Sequence, residues 1–155
     1  MDAIIISPDP IDAPETLKQF ETEASGAGGI VSFTGNVRPV AKFGPVKSLF
    51  LQSYSPLTEN GIKSALETAQ ARWPLMGVRI VHRIGEMAPG ETIVFVATAS
   101  AHRRAAFEAA DFLMDYLKTE AVFWKKETTE TEEAWIEPRG EDYSDANRWQ
   151  LEDAT

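Results

Sequence analysis

The sequence predicts a single α+β domain, with helices packed on a mostly antiparallel sheet. Three observations point there. A length of 155 residues with 43% hydrophobic side chains supports one core and not comfortably two. Apolar residues recur at helical spacing in three segments and follow strand patterns in others. Helices are interspersed with an antiparallel hairpin.

Each element has its own signal. Ala3 to Ser7 reads as a short strand that Pro8 and Pro10 break. Asp12 is placed to cap a helix over about residues 13–24, with Pro14 in its first turn and Leu17, Phe20 and Ala24 at helical spacing. Gly29 to Arg38 and Val46 to Tyr54 are β-branched and aromatic enough for strands, with a loop from Pro39 to Pro45. Ile62, Leu66, Ala69 and Trp73 repeat at helical spacing, giving a helix from about Thr58 that Pro74 closes. Val78 to Ile84 and Thr92 to Thr98 form a hairpin around Ala88-Pro89-Gly90-Glu91, and the second strand is apolar enough to be buried on both faces. Ser100 is expected to cap a helix over about 101–118, whose apolar face carries Phe107, Ala110, Met114 and Leu117. Ala121 to Glu127 and Ala134 to Glu137 complete the set as strands.

The net charge of −9 is unevenly placed, with contributions of −2 from residues 1–99, +1 from 100–126 and −8 from 127–155. The C-terminal segment therefore reads as a solvated face or a partly mobile tail. Extended nucleic-acid binding is disfavoured, because it needs a dense basic surface, while a small anion site stays compatible. No apolar stretch is long enough to span a membrane and no secretory signal opens the chain. The absence of cysteine removes disulfides, a thiolate nucleophile and a Cys-based zinc site, and makes the cytoplasm the expected compartment. With only two histidines, no metal site is expected either.

Two places depart from ordinary patterning. His102, Arg103 and Arg104 sit in the first turn of a helix, where the dipole disfavours cations. Either an anion docks on the helix N–H groups and these side chains close around it, or the arginines pair with surface carboxylates. The second place is Lys118 to Glu127. Lys118 ends the helix, where a cation is favourable in any case. Strand alternation sends Lys125 and Lys126 to opposite faces, so at most one of them shares a site with Lys118. Walled by Phe123 and Trp124, such a lysine has a lowered pKa and can serve as acid, base or nucleophile. Sixteen residues of helix, about 24 Å, separate His102 from Lys118, so one small substrate needs either two sites or a second copy of the chain. Arg38 ends a strand and can reach a pocket mouth, while His82 reads as a packed or surface histidine.

Seven blocks in one order resemble the large, catalytic subunit of molybdopterin synthase, the MoaE family. They are Phe33-Thr34-Gly35-Asn36-Val37-Arg38, Arg72-Trp73-Pro74-Leu75, Val81-His82-Arg83-Ile84-Gly85-Glu86, Pro89-Gly90-Glu91, Ser100-Ala101-His102-Arg103, Met114-Asp115-Tyr116-Leu117-Lys118-Thr119 and Phe123-Trp124-Lys125-Lys126-Glu127. The resemblance implies an α/β hammerhead-type fold over residues 1–150, followed by an acidic tail at 151–155. It implies a central homodimer that carries a small ubiquitin-like sulfur-carrier subunit (MoaD type) at each end, making a heterotetramer. The implied reaction is a sulfur transfer. Two sulfurs, one from the C-terminal thiocarboxylate of each of two partner molecules, enter cyclic pyranopterin monophosphate and form the dithiolene of molybdopterin, with no cofactor.

By position, the resemblance casts Lys118 as the catalytic lysine, either acid/base or transient acceptor of the partner's tail, and Lys125 as a second essential lysine. Arg38, His102 and Arg103 fall on the pocket for the substrate phosphate, the last two from the other protomer, and Arg139 on a further basic position. Asn36 stands where many relatives are expected to have lysine, so no charge is expected there. Two rivals fit the same residues: a non-catalytic module that captures the tail of a ubiquitin-like partner, and a stand-alone enzyme acting on a phosphorylated metabolite.

Overall fold

The computed structural model describes residues 2–42, 44–136 and 140–153. In chain order the elements are β1 (Ala3–Ser7), α1 (Ala13–Glu23), β2 (Gly29–Asn36), β3 (Val40–Ala41), β4 (Gly44–Ser53), α2 (Leu57–Arg72) and β5 (Leu75–Arg83). They continue with β6 (Gly85–Met87), β7 (Thr92–Ser100), α3 (Arg103–Thr119), β8 (Phe123–Thr129), β9 (Glu133–Ile136) and α4 (Gly140–Asp153).

The strands form two sheets. In the first the order is β1-β5-β7-β2, parallel between β1 and β5 and antiparallel elsewhere. The apolar run of β7 lies between two partners, and Val94 to Ser100 are all buried, as the lack of any polar alternation predicts. In the second sheet the order is β3-β4-β8-β9, with β6 also paired to β4. The α+β class and the mostly antiparallel pairing match the sequence reading.

Cores form on both faces of the first sheet. Helices α2 and α3 cover one face through Ile62, Leu66, Leu113 and Leu117 against Val78, Ile80, Val94 and Val96. Helix α1 covers the other, with Phe20 and Ala24 against Val81, Phe95 and Ala97. Leu49, Leu51, Met87, Val37 and Val46 make a smaller cluster under the second sheet. Asp12 caps α1 as expected, accepting a hydrogen bond from the Glu15 N–H at 3.1 Å.

Three features differ from the sequence reading. The loop over 39–45 contains β3, which turns straight back onto the start of β4. Ser100 does not cap α3, because it ends β7 and its hydroxyl donates to the Pro74 carbonyl at 2.8 Å. His102 occupies the N-cap position with no side-chain cap hydrogen bond. Finally, the acidic segment after residue 139 forms α4 through Asp153. Its buried Trp149 meets Trp73 and Phe112 edge-on, at centroid distances of 5.6 and 5.7 Å. Arg148 binds Asp111 at 2.6 Å and Asp115 at 2.9 Å, and the Trp149 indole N–H donates to Asp115 at 2.6 Å. This docking folds the start of α4 back toward the end of α3.

Candidate active site

The last turn of α3 and the start of β8 place the two lysines. Between them, the Thr58 hydroxyl accepts from the Tyr54 N–H at 2.8 Å and donates to the Val122 carbonyl. One buried side chain thus pins the end of β4, the start of α2 and the entry to β8. Along β8 side chains alternate, with Lys125 opposite Leu51 and Ile136 and Lys126 opposite Phe50 and Trp135. Lys126 faces away, 3.1 Å from Glu133 and over the Trp135 ring. Lys125 faces inward.

There it joins Lys118 in a cavity of about 460 Å³, lined also by Arg38, Phe123, Ile136, Asp142 and Tyr143. A smaller space of about 70 Å³ on the far side of the lysines is lined by Phe33, Asn36, His82 and Met114. Burial pulls the Lys125 ammonium down to about 8, the Lys118 charge adds to the effect, and Asp142 opposes it. His82 is buried and stacked on Phe123, with ring centroids 4.0 Å apart, and its Nδ1 lies 3.0 Å from the Arg83 carbonyl. Burial lowers its pKa to about 4, against that backbone contact and with the two lysine charges adding to the fall. It is therefore a neutral, packed histidine in the wall behind the lysines, as the sequence reading has it.

The structure brings Arg38, Lys118 and Lys125 together and leaves His102 and Arg103 apart, exposed at the other end of α3. Arg104 lies 3.9 Å from Glu108, an i,i+4 surface contact of the kind expected from the plainer reading. Arg139 lies outside the described residues. Sequence reasoning missed Asp142 and Tyr143, which reach the cavity only because α4 folds back, and no local pattern announces that. Among the described residues, no three His, Asp or Glu side chains group to hold a metal. Nor does any helix there have the length and apolarity to cross a membrane.

A cavity whose wall carries three cations and one carboxylate beside aromatic rings, in a two-sheet α+β domain, has the chemistry to take a small anionic ligand. A family model described as MoaE protein matches residues 6–120. The molybdopterin synthase catalytic subunit of Vibrio cholerae is 46% identical over 135 residues, covering 86% of this chain and 90% of that one. That of Escherichia coli is 43% identical over 146 residues, covering 94% and 97%. The solved structure of a molybdopterin biosynthesis MoaE protein from Burkholderia ambifaria superposes with a TM-score of 0.81 at 38% identity, covering 97% of this chain and 99% of that one. The chain belongs to the MoaE family. It is an enzyme of molybdenum cofactor biosynthesis, and its chemistry is sulfur transfer.

Proposed function

We propose that the chain converts cyclic pyranopterin monophosphate to molybdopterin, taking the two dithiolene sulfurs one each from the C-terminal thiocarboxylates of two molecules of a small ubiquitin-like subunit, each left as a carboxylate. The observation that carries this reading is the meeting of Lys118 and Lys125 in one cavity large enough for a small ligand and a chain end. The relatives are named as subunits, which accords with a second chain, and a cysteine-free enzyme must receive its sulfur from outside.

Roles follow from position and charge. Lys125, an ammonium below about pH 8, holds the anionic tail and is a readier proton donor than an ordinary lysine. Lys118, more exposed at the helix end, moves protons at the reacting atoms or transiently accepts the tail. Arg38 binds the substrate phosphate at the cavity rim. His102 and Arg103 complete the phosphate site from a second copy of the chain, because about 24 Å of helix keeps them from their own Lys118. The uncapped N–H groups at the start of α3 suit an anion there. Arg139 is assigned to the same basic pocket. The working assembly is a homodimer at the core of a heterotetramer, acting in the cytoplasm.

The test mixes the purified chain with thiocarboxylated small subunit and cyclic pyranopterin monophosphate and follows dithiolene product. Product is expected. Tail binding without product, under conditions where an established synthase turns over, would make the chain a capture module instead.

A further inference from the structure

We propose that Asp142 is the specificity-determining residue for the substrate's ring, its carboxylate accepting the paired N–H donors of the aminopyrimidinone edge. The inference rests on the pterin reading above and concerns the same cavity.

The lining of the cavity sets what it can accept. Arg38, Lys118 and Lys125 line it, and each is only a hydrogen-bond donor when charged. They suit a phosphate or a carboxylate and cannot tell a pterin phosphate from any other small phosphate. A pterin carries, away from its phosphate, a 2-amino group and a ring N–H that point the same way. That donor pair matches the two oxygens of a carboxylate, in the geometry by which a carboxylate takes a guanidinium fork. Asp142 is the one carboxylate among the described residues that line the cavity. Tyr143 follows it, and with Phe123 gives the cavity aromatic faces for a flat ring.

Its placement is fixed from a distance. Asp142 lies in the first turn of α4, whose other end is clamped to α3 by Arg148 and Trp149 on Asp115. An acidic residue there also suits the helix dipole and opposes the cations beside it, so charge alone could account for it. Once the charge is removed, the two roles predict opposite signs for the pterin and the same sign for a plain anion.

The experiment measures equilibrium binding of cyclic pyranopterin monophosphate and of inorganic phosphate to the full chain, as wild type, Asp142→Asn and Asp142→Glu. Losing a charge-assisted pair is expected to weaken the pterin about tenfold or more in Asp142→Asn. Inorganic phosphate is expected to bind as well or better, since a repelling charge has gone. Asp142→Glu keeps the carboxylate and is expected to recover part of the pterin affinity. If Asp142→Asn binds the pterin as well as wild type, or both ligands tighten together, Asp142 is only a local charge and the inference fails while the function stands. If wild type itself does not bind the pterin, the functional reading fails, and this one with it.

Discussion

Lys125 and Lys126 are neighbours on β8 that serve opposite faces of it, the first in the cavity beside Lys118, the second held by Glu133 and Trp135. Removing Lys126 breaks a partly exposed ion pair worth about 0–1 kcal/mol. Lys126→Ala is therefore expected to melt close to wild type and to keep its turnover. Lys125→Ala is expected to lose product formation. Parallel melts and turnover assays check the pair, and equal losses in both variants would mean that the strand's two faces are not functionally distinct.

The depressed Lys125 gives tail binding a pH limb. The ammonium is complete well below about 8 and is lost as pH rises through it, so affinity for an anionic tail falls there. Lys118→Ala removes a neighbouring cation, lets the Lys125 pKa rise and moves the limb to higher pH. Tail affinity measured across this range checks the shift, and a limb that stays put or moves down contradicts it. The same depression has a stability sign. Between about 8 and 10.5 the unfolded chain holds a proton that the folded chain has released, so stability rises with pH through that window.

His82 behaves oppositely in usefulness but obeys the same linkage. Its folded pKa of about 4 lies below the ordinary 6.5, so its contribution is fully present above 6.5 and is lost as pH falls toward 4, by about 3 kcal/mol. A His82→Phe variant keeps a ring on Phe123 and removes the titration. Its stability is expected to fall less steeply than wild type between pH 6.5 and 4 in denaturant titrations. Parallel curves would show that His82 does not titrate in this way.

Much of this arrangement was legible in the sequence. The unbroken apolar run of β7 predicts a strand buried on both faces, and period-two alternation separates Lys125 from Lys126. Helix length alone kept His102 from Lys118. What stayed illegible is non-local. Helix α4 carries only Tyr143, Ala146 and Trp149 at helical spacing among acidic and polar residues, and buried Trp149 and the Arg148 pairs hold it, so its pattern reads as a polar tail. Asp142 and Tyr143 were hidden with it. Serine favours the cap position, yet the Ser100 hydroxyl goes to the Pro74 carbonyl across the fold.

The start of α3 is held by a close backbone approach. A Cβ on Gly28 would lie 2.0 Å from the Ala101 carbonyl oxygen, immediately before His102. Neither backbone can yield without moving, so Gly28→Ala is expected to cost about 1–3 kcal/mol and to displace the His102 end. Weaker binding of the pterin phosphate with unchanged tail binding checks this. Wild-type stability and pterin affinity in the variant would contradict it.

The proposed sulfur transfer takes place in the cavity around Lys118. Its most direct measurement is a single-turnover assay of Lys118→Ala with thiocarboxylated small subunit and cyclic pyranopterin monophosphate, alongside the variant's affinity for the small subunit. No dithiolene product is expected, with partner binding largely intact. Near-wild-type product formation by Lys118→Ala would contradict it.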